Sequence, residues 1–277
     1  VAVVNGPVYV EWPSRGADLR YGLFTVVPPR DFTDVHMQLG GIQYEISYDL
    51  GSRPYDVTCA TGATKTFDAG PTTVTAAPVV IYTSMTCGSV GMTEERARAF
   101  VNDRAKYGEQ PAVELAFSNS ANGLAPGLAN NGAATQLAAT ATITAAISVL
   151  ENWLYVTKGY GATGIIHAPA IAEAYFRDYN SMQMDKNGVW RTPMQTAISF
   201  GNYSGNKVNG SAPAASATNI YITPQMSISR DTDSNVFFAP YGEVFNKAGN
   251  QFLALMERNY IIGMDFAPAA TEATLAP

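Results

Sequence analysis

The sequence predicts an α+β fold, and three stretches carry the prediction. Residues 131–180 read as one unit of helix, turn, buried strand and helix. Residues 35–85 carry the pattern of strands and turns, and a separate long helix follows Thr93.

Taken in order, residues 1–30 alternate only in pieces, as at Val8 and Val10, and Pro7, Pro13, Pro28 and Pro29 interrupt them. Proline removes a ladder donor, so this stretch predicts an extended arm with one short strand over Leu23 to Val27. Ile42, Tyr44 and Ile46 then alternate with polar neighbours, and Val74 to Tyr82 is rich in Val, Thr and Ile, which predicts two strands. Gly51, Gly62 and the Gly70-Pro71 pair mark turns. The residues from Gly51 to Pro71 hold few large apolar groups and build no core of their own. They predict a long polar hairpin that leaves the body and stays mobile until a neighbouring chain covers it.

Thr93 caps the next helix, with Glu94 and Glu95 opposing the positive end of its dipole. Ala97, Phe100, Val101 and Ala105 mark a narrow apolar face, and Arg98, Asp103, Arg104 and Lys106 a solvated one. Gly108 and Pro111 predict a break or kink, after which Ala112, Val113, Leu115, Ala116 and Phe117 resume the apolar pattern. A Gly- and Asn-rich loop follows over Ser118 to Gly132.

The central unit is the most legible. Ile143, Ala146, Ile147, Leu150 and Leu154 form an apolar stripe at helical spacing, capped by Thr142 or Thr144 unless the alanines before them extend the helix. Lys158 and Gly159 suit its end, where a cation meets the negative pole and glycine takes the left-handed conformation. Ile165 to Ala168 is too short for a helix and predicts a central strand, after which Pro169 restarts a helix. Ala168, Ile171, Ala172, Tyr175 and Tyr179 are its predicted buried face. Gly159, Gly161 and Gly164 spell G-x-G-x-x-G, but that fingerprint must follow a strand and open a helix. Here the order is reversed, so these read as turn glycines.

Further on, Asp185 to Gly188 predicts a turn, Thr196 to Phe200 a strand, and Ser211 to Thr218 an Ala/Ser loop. Ile220 with Ile222 and Met226 with Ile228 predict strands split by Pro224. Asp231, Asp233 and Asn235 match the start of a calcium loop, but Val236 stands where that loop needs glycine, so a polar turn is expected. Phe252 to Phe266 predicts one long bent strand, or a hairpin about Arg258 and Asn259, and the tail from Ala267 an extended or loose terminus.

Composition narrows the function. Of the 277 residues 47% are hydrophobic, enough for a sizeable core, while only 14% are charged, which leaves a neutral polar surface suited to extensive protein contacts. A net charge of -6 argues against a dedicated nucleic-acid binder. No apolar run reaches the length that crosses a bilayer, which predicts a soluble chain. The sequence has no G-x-S-x-G, H-E-x-x-H, P-loop or C-x-x-C pattern, and Cys59 and Cys87 read as isolated small hydrophobes. His36 lies near the hairpin and His167 inside the buried strand, where a hydrogen-bonded core histidine is expected rather than a base. No enzyme site, metal or cofactor is predicted.

The order of several stretches brings a family into view. They are the long hairpin between Val35 and Met85, the helix with Tyr107-Gly108-Glu109-Gln110 and Glu114, and the run Gly164-Ile165-Ile166-His167-Ala168-Pro169. Thr192 to Gly201 with Asn202 and Tyr203, and Glu257 to Phe266, complete the set. From about Tyr21 to Phe266 the chain resembles the major capsid protein of tailed double-stranded-DNA bacteriophages, the Hong Kong 97 fold.

The resemblance implies an N-terminal arm over 1–34, an extended loop with flanking strands over 35–90 and a spine helix region over 91–130. It implies core and axial-domain elements over 131–235, and late peripheral-domain strands with the tail over 236–277. The implied function is a virion subunit, assembled in the host cytoplasm, that forms hexamers and pentamers of an icosahedral shell around phage DNA. The implied partners are other copies of the chain, scaffolding, portal and decoration proteins, and packaged DNA by non-specific contact, with no membrane. The expected assembly surface includes Gly51, Tyr55, Lys65, Phe67 and Pro71 on the hairpin and Arg98 and Arg104 on the helix. Some relatives bond a loop lysine to a neighbour's asparagine; Lys65 is the only lysine between residues 41 and 80, and with no matching Asn or Glu no cross-link is expected. Cys59 and Cys87 are expected as free thiols, a late disulfide being the alternative. The chain departs from the pattern at Pro111, implying a kinked spine, and shows no helical scaffolding segment before the arm, implying a separate or dispensable scaffold. A tail-tube or decoration protein, or a hydrolase with a site of distant residues, are the other readings.

Overall fold

Two β-sheets and one long helix organise the computed structural model, which describes residues 21–46, 70–88, 93–176, 182–232, 235–238 and 251–275. The order opens with α1 (Leu23–Val26), β1 (Arg30–Phe32), α2 (Val35–Gly40), β2 (Ile42–Ile46), β3 (Thr72–Ala76), β4 (Pro78–Gly88) and α3 (Glu94–Asn119). β5 (Thr135–Gln136), α4 (Ile143–Glu151), β6 (Ile165–Pro169), α5 (Glu173–Phe176), β7 (Gln183–Met184), β8 (Trp190–Arg191) and β9 (Ala197–Gly201) follow. The chain closes with β10 (Ala217–Thr223), β11 (Met226–Asp231), β12 (Asn235–Phe238), β13 (Gln251–Met264) and β14 (Ala269–Thr274).

The first sheet is built on β13, the single long strand among the two forms expected for Phe252 to Phe266. β4 pairs along one edge from Gln251↔Gly88 to Ile261↔Pro78, while β12 and then β11 share the other, and β1 lies outside β11. Helix α3 packs on this sheet through a stripe at every fourth residue: Ala97, Val101, Ala105, Glu109, Val113 and Phe117 are all buried. The helix runs unbroken through Pro111, so of the break or kink expected there the break is not found. Proline removes one helical hydrogen bond, but the stripe is packed against the body on both sides of that point, so tertiary contacts override the local cost. Phe100 lies off the stripe and is 42% exposed, so the predicted apolar face is displaced there.

The second sheet has the order β5-β14-β10-β6-β9-β8-β7, with β6 at its centre as expected and every residue of β6 buried. Ile143, Ala146, Ile147, Leu150 and Leu154 of the predicted stripe are all buried, and Thr142 accepts from the Ala145 N–H as the cap. The helix ends in a π-helical turn, Asn152–Thr157, and Gly159 takes φ +61. Gly164 allows close approach, since a Cβ there would overlap Leu154 and the Thr223 carbonyl, which accounts for one glycine of the apparent nucleotide motif without a ligand.

Several expectations are corrected. Leu23 to Val27 forms a helical turn rather than a strand, burying Leu23 and Val27. The expected strand at 74–82 divides, β3 pairing with β2 and β4 with β13, with a bridge from Ala77 to Ala125 at the break. Asp34 caps a helix, α2, that the strand pattern hid. After Pro169 the chain turns first as a 3-10 segment, Ala170–Ala172, which shifts the phase so that Ile171 is exposed and Phe176 is buried instead. Of the extended or loose tail expected, the extended form is found, as a core strand: Ala269 and Ala273 are fully buried beneath α4, where only small side chains let the helix approach, and Ala270 is buried on the other face of β14. Tyr179, Asp233 and residues 1–20 lie outside the described residues.

His167 sits in the core with Nδ1 3.1 Å from the Tyr203 hydroxyl and Nε2 2.9 Å from Thr223 Oγ1. Burial lowers its pKa to about 3, so the ring is held neutral. The folded value lies below the unfolded one. Stability is therefore complete above about pH 6.5 and falls with acidification, by roughly 1.4 kcal/mol per pH unit, until about pH 3. Urea unfolding at pH 7.5 and pH 5 should show a loss of about 2 kcal/mol from this residue, absent in His167→Gln; an equal loss in the variant contradicts the assignment.

Candidate assembly surface

Two buried carboxylates on α3 fix the parts of the molecule that present its outer surface. Glu109 accepts from Arg258 Nη1 at 2.8 and 2.7 Å and from the Tyr260 hydroxyl at 2.8 Å, tying the helix to β13. Phe24 of α1 stacks on Tyr260 with ring centroids 5.7 Å apart. One helical turn on, Glu114 Oε1 accepts from the Leu23 N–H at 2.8 Å and Oε2 from the Asn202 N–H at 2.7 Å. It thereby joins the start of α1 and the end of β9 to α3. Gly22 and Gly201 make room, since a Cβ at either position would overlap the carboxylate. Burial pushes the Glu114 carboxyl above the usual carboxylate range, while the Asn202 and Leu23 N–H groups and Gln110 pull it back.

Outside this frame lies the surface of interest. Along β4, Val79 faces the core while Val80 and Tyr82 point outward, Tyr82 67% exposed. Arg104 on α3 donates to the Ser84 carbonyl at 3.2 Å and lies 5.7 Å over Phe100, and Lys106 stands 5.7 Å over the Tyr107 ring. A groove of about 540 Å³ runs between them, lined by Tyr82, Thr83, Ser84, Arg104, Tyr107 and Gly108. The groove presents aromatic faces and a guanidinium charge.

Of the residues expected on the assembly surface, Arg104 lines this groove, and Arg98 is half-buried on α3, one residue past the buried Ala97. Pro71 is exposed at the entry to β3. Gly51, Tyr55, Lys65, Phe67 and Cys59 lie outside the described residues, and Cys87 stands in β4 opposite Phe252. The hairpin strands β2 and β3 pair with each other from Ile42↔Ala76 to Ile46↔Thr72, and neither joins a larger sheet among the described residues. Sequence reasoning placed Glu109 and Glu114 only within a resemblance. The four-residue period that runs from Ala97 through Glu109 to Phe117 is the signal that marks Glu109; Glu114, one step off it, carries none.

No protein-family model and no curated protein matches the chain. Solved structures match it almost end to end. The capsid of a native GTA particle, computed with C5 symmetry, has a TM-score of 0.60 at 12% identity, covering 98% of this chain and 96% of that one. A structure of Mycobacterium phage Adephagia gives 0.56 at 11% identity over 98% and 96% of the two chains. One of Gordonia phage Cozz gives 0.55 at 11% over 99% and 92%. At such identities the likeness is one of fold.

Glu114→Gln should cost about 1–3 kcal/mol, because an amide leaves one of the two buried N–H groups facing a donor. Urea unfolding of the purified chain measures it, and an unchanged midpoint would mean that the carboxylate does not hold these elements together.

Proposed function

We infer, from a mixed helix-and-sheet fold shared along nearly its whole length with phage capsid proteins, that the chain is a major capsid subunit. It associates with further copies of itself into hexamers and pentamers of an icosahedral shell that encloses phage DNA. The role is structural, not enzymatic, and the virion is its location after assembly in the host cytoplasm. The end-to-end match to the capsid of the native GTA particle carries this reading.

In Hong Kong 97 terms, α3 is the spine helix and lies with the β13 sheet in the peripheral domain. The seven-stranded sheet supplies the axial domain, and β2 and β3 are the root of the extended loop. The loop of one subunit, from Gly51 to Pro71, crosses the outer face of a neighbour's α3, where Arg98, Arg104 and the Tyr82 groove receive it. Two features support this. Among the described residues the β2–β3 ribbon pairs only with itself, and a two-stranded ribbon is marginal in water without a further partner. The groove beside Arg104 is open and partly aromatic. Scaffolding, portal and decoration proteins are further partners on this reading, Cys59 and Cys87 stay as thiols in fresh particles, and Lys65 forms no cross-link.

Size-exclusion chromatography with electron microscopy tests the reading: capsomers or closed shells are expected, and a chain that stays monomeric under every condition contradicts it. Helical tubes or binding only to preformed shells would assign it to another virion component. Replacing Gly51 to Pro71 by a short Gly/Ser turn should leave circular dichroism unchanged and abolish shells. Normal shells from that chain would exclude the loop from assembly.

A further inference from the structure

The hairpin is launched from a base held at several points. Gly41, at φ +74, turns the chain out of α2 and passes against the Ala76 carbonyl. Gln38 Nε2 donates to Asp231 Oδ2 at 2.5 Å, and the Ala77 N–H donates to the Ala125 carbonyl at 2.7 Å. These contacts hold the approaches to the ribbon. One residue within the ribbon also reaches the body. The Tyr44 hydroxyl donates to the Met264 carbonyl at 2.6 Å and accepts from the Met264 N–H at 2.8 Å.

The place of this contact explains its form. β4 leaves β13 at Pro78, opposite Ile261, so that edge of β13 continues beyond its partner strand. Met264 has an N–H and a carbonyl there, and one phenol hydroxyl satisfies both as a paired residue would. The ring lies over Gly263, where a Cβ would come within 3.3 Å of its Cε1 and 3.0 Å of Ser227 Oγ. Glycine thus provides the seat. Burial raises the Tyr44 pKa, as does the nearby Asp265 charge, so the hydroxyl keeps the proton that it donates.

We propose that Tyr44 is a positioning residue for assembly, pinning the hairpin at Met264 and Gly263 so that it leaves the subunit at one angle and sets the curvature at which neighbours join. The proposal rests on the reading of the chain as a shell subunit. A ribbon fastened near its base acts as a lever, and a small rotation at Tyr44 becomes a larger displacement further along it. Subunits whose hairpins reach neighbours at varied angles join at varied curvatures.

Tyr44→Phe keeps the ring and removes the clasp. The variant should fold, with unchanged circular dichroism, while hydrogen exchange at the Met264 amide in dissociated subunits quickens roughly ten-fold. Particles should still form but spread in diameter, with open sheets or tubes among them in electron micrographs. Gly263→Ala, which crowds the ring from beneath, should produce the same spread through a different atom and serves if the first variant folds poorly. Unchanged exchange at Met264, or faster exchange with the wild-type diameter distribution, overturns the proposal. Failure of the unaltered chain to form shells under the same conditions instead overturns the shell reading on which it rests.

Discussion

A buried carboxyl group is costly unless its oxygens are hydrogen-bonded, and both Glu114 oxygens accept backbone N–H groups, from two distant parts of the chain. This arrangement settles where α1, the end of β9 and the long helix meet. Gly22 and Gly201 are fixed by the same requirement, since neither position tolerates a side chain beside the carboxylate. With Glu109 bound to Arg258 and Tyr260 one turn away, α3 is attached to β13 by charge-assisted bonds and to the second sheet through Glu114. The two sheets are held in one body by a helix that belongs wholly to neither.

That body packs around cores of its own, and the hairpin adds no strand to either sheet among the described residues. Its strands pair with each other, and Tyr44 fastens their base to the free edge of β13, but a larger sheet does not receive them among the described residues. On α3 and β4, Tyr82, Ser84, Arg104 and Tyr107 line an open groove, and Phe100 and Val80 are exposed. On the proposed reading, a ribbon that joins no larger sheet among the described residues and an open groove supply the two halves of a contact between subunits.

The parts legible in the sequence are those where local pattern and packing agree. The stripe from Ile143 to Leu154 and the apolar run at Ile165 to Ala168 meet no competing signal, and both lie where the pattern places them. At Pro111 local propensity loses to a stripe that spans it. Ala269 and Ala273 look like a weak tail because small residues bury little area individually, yet small residues are what the space beneath α4 admits. Leu23 to Val27 reads as a strand, and its helical turn is held by the Leu23 N–H donating to a carboxylate 91 residues away. Of the residues expected on the assembly surface, Arg104 lines the groove beside β4. Tyr44 looked like one more alternating strand residue, because its partner is a backbone edge that no sequence pattern announces.

The central claim is that the body is finished within one chain and the hairpin is finished by another. Hydrogen exchange compared between dissociated subunits and assembled particles tests it most directly. The account predicts that amides of β2 and β3 gain strong protection on assembly, while those at the core of α3 and β13 change little. Equal protection of the β2 and β3 amides in both states would contradict it.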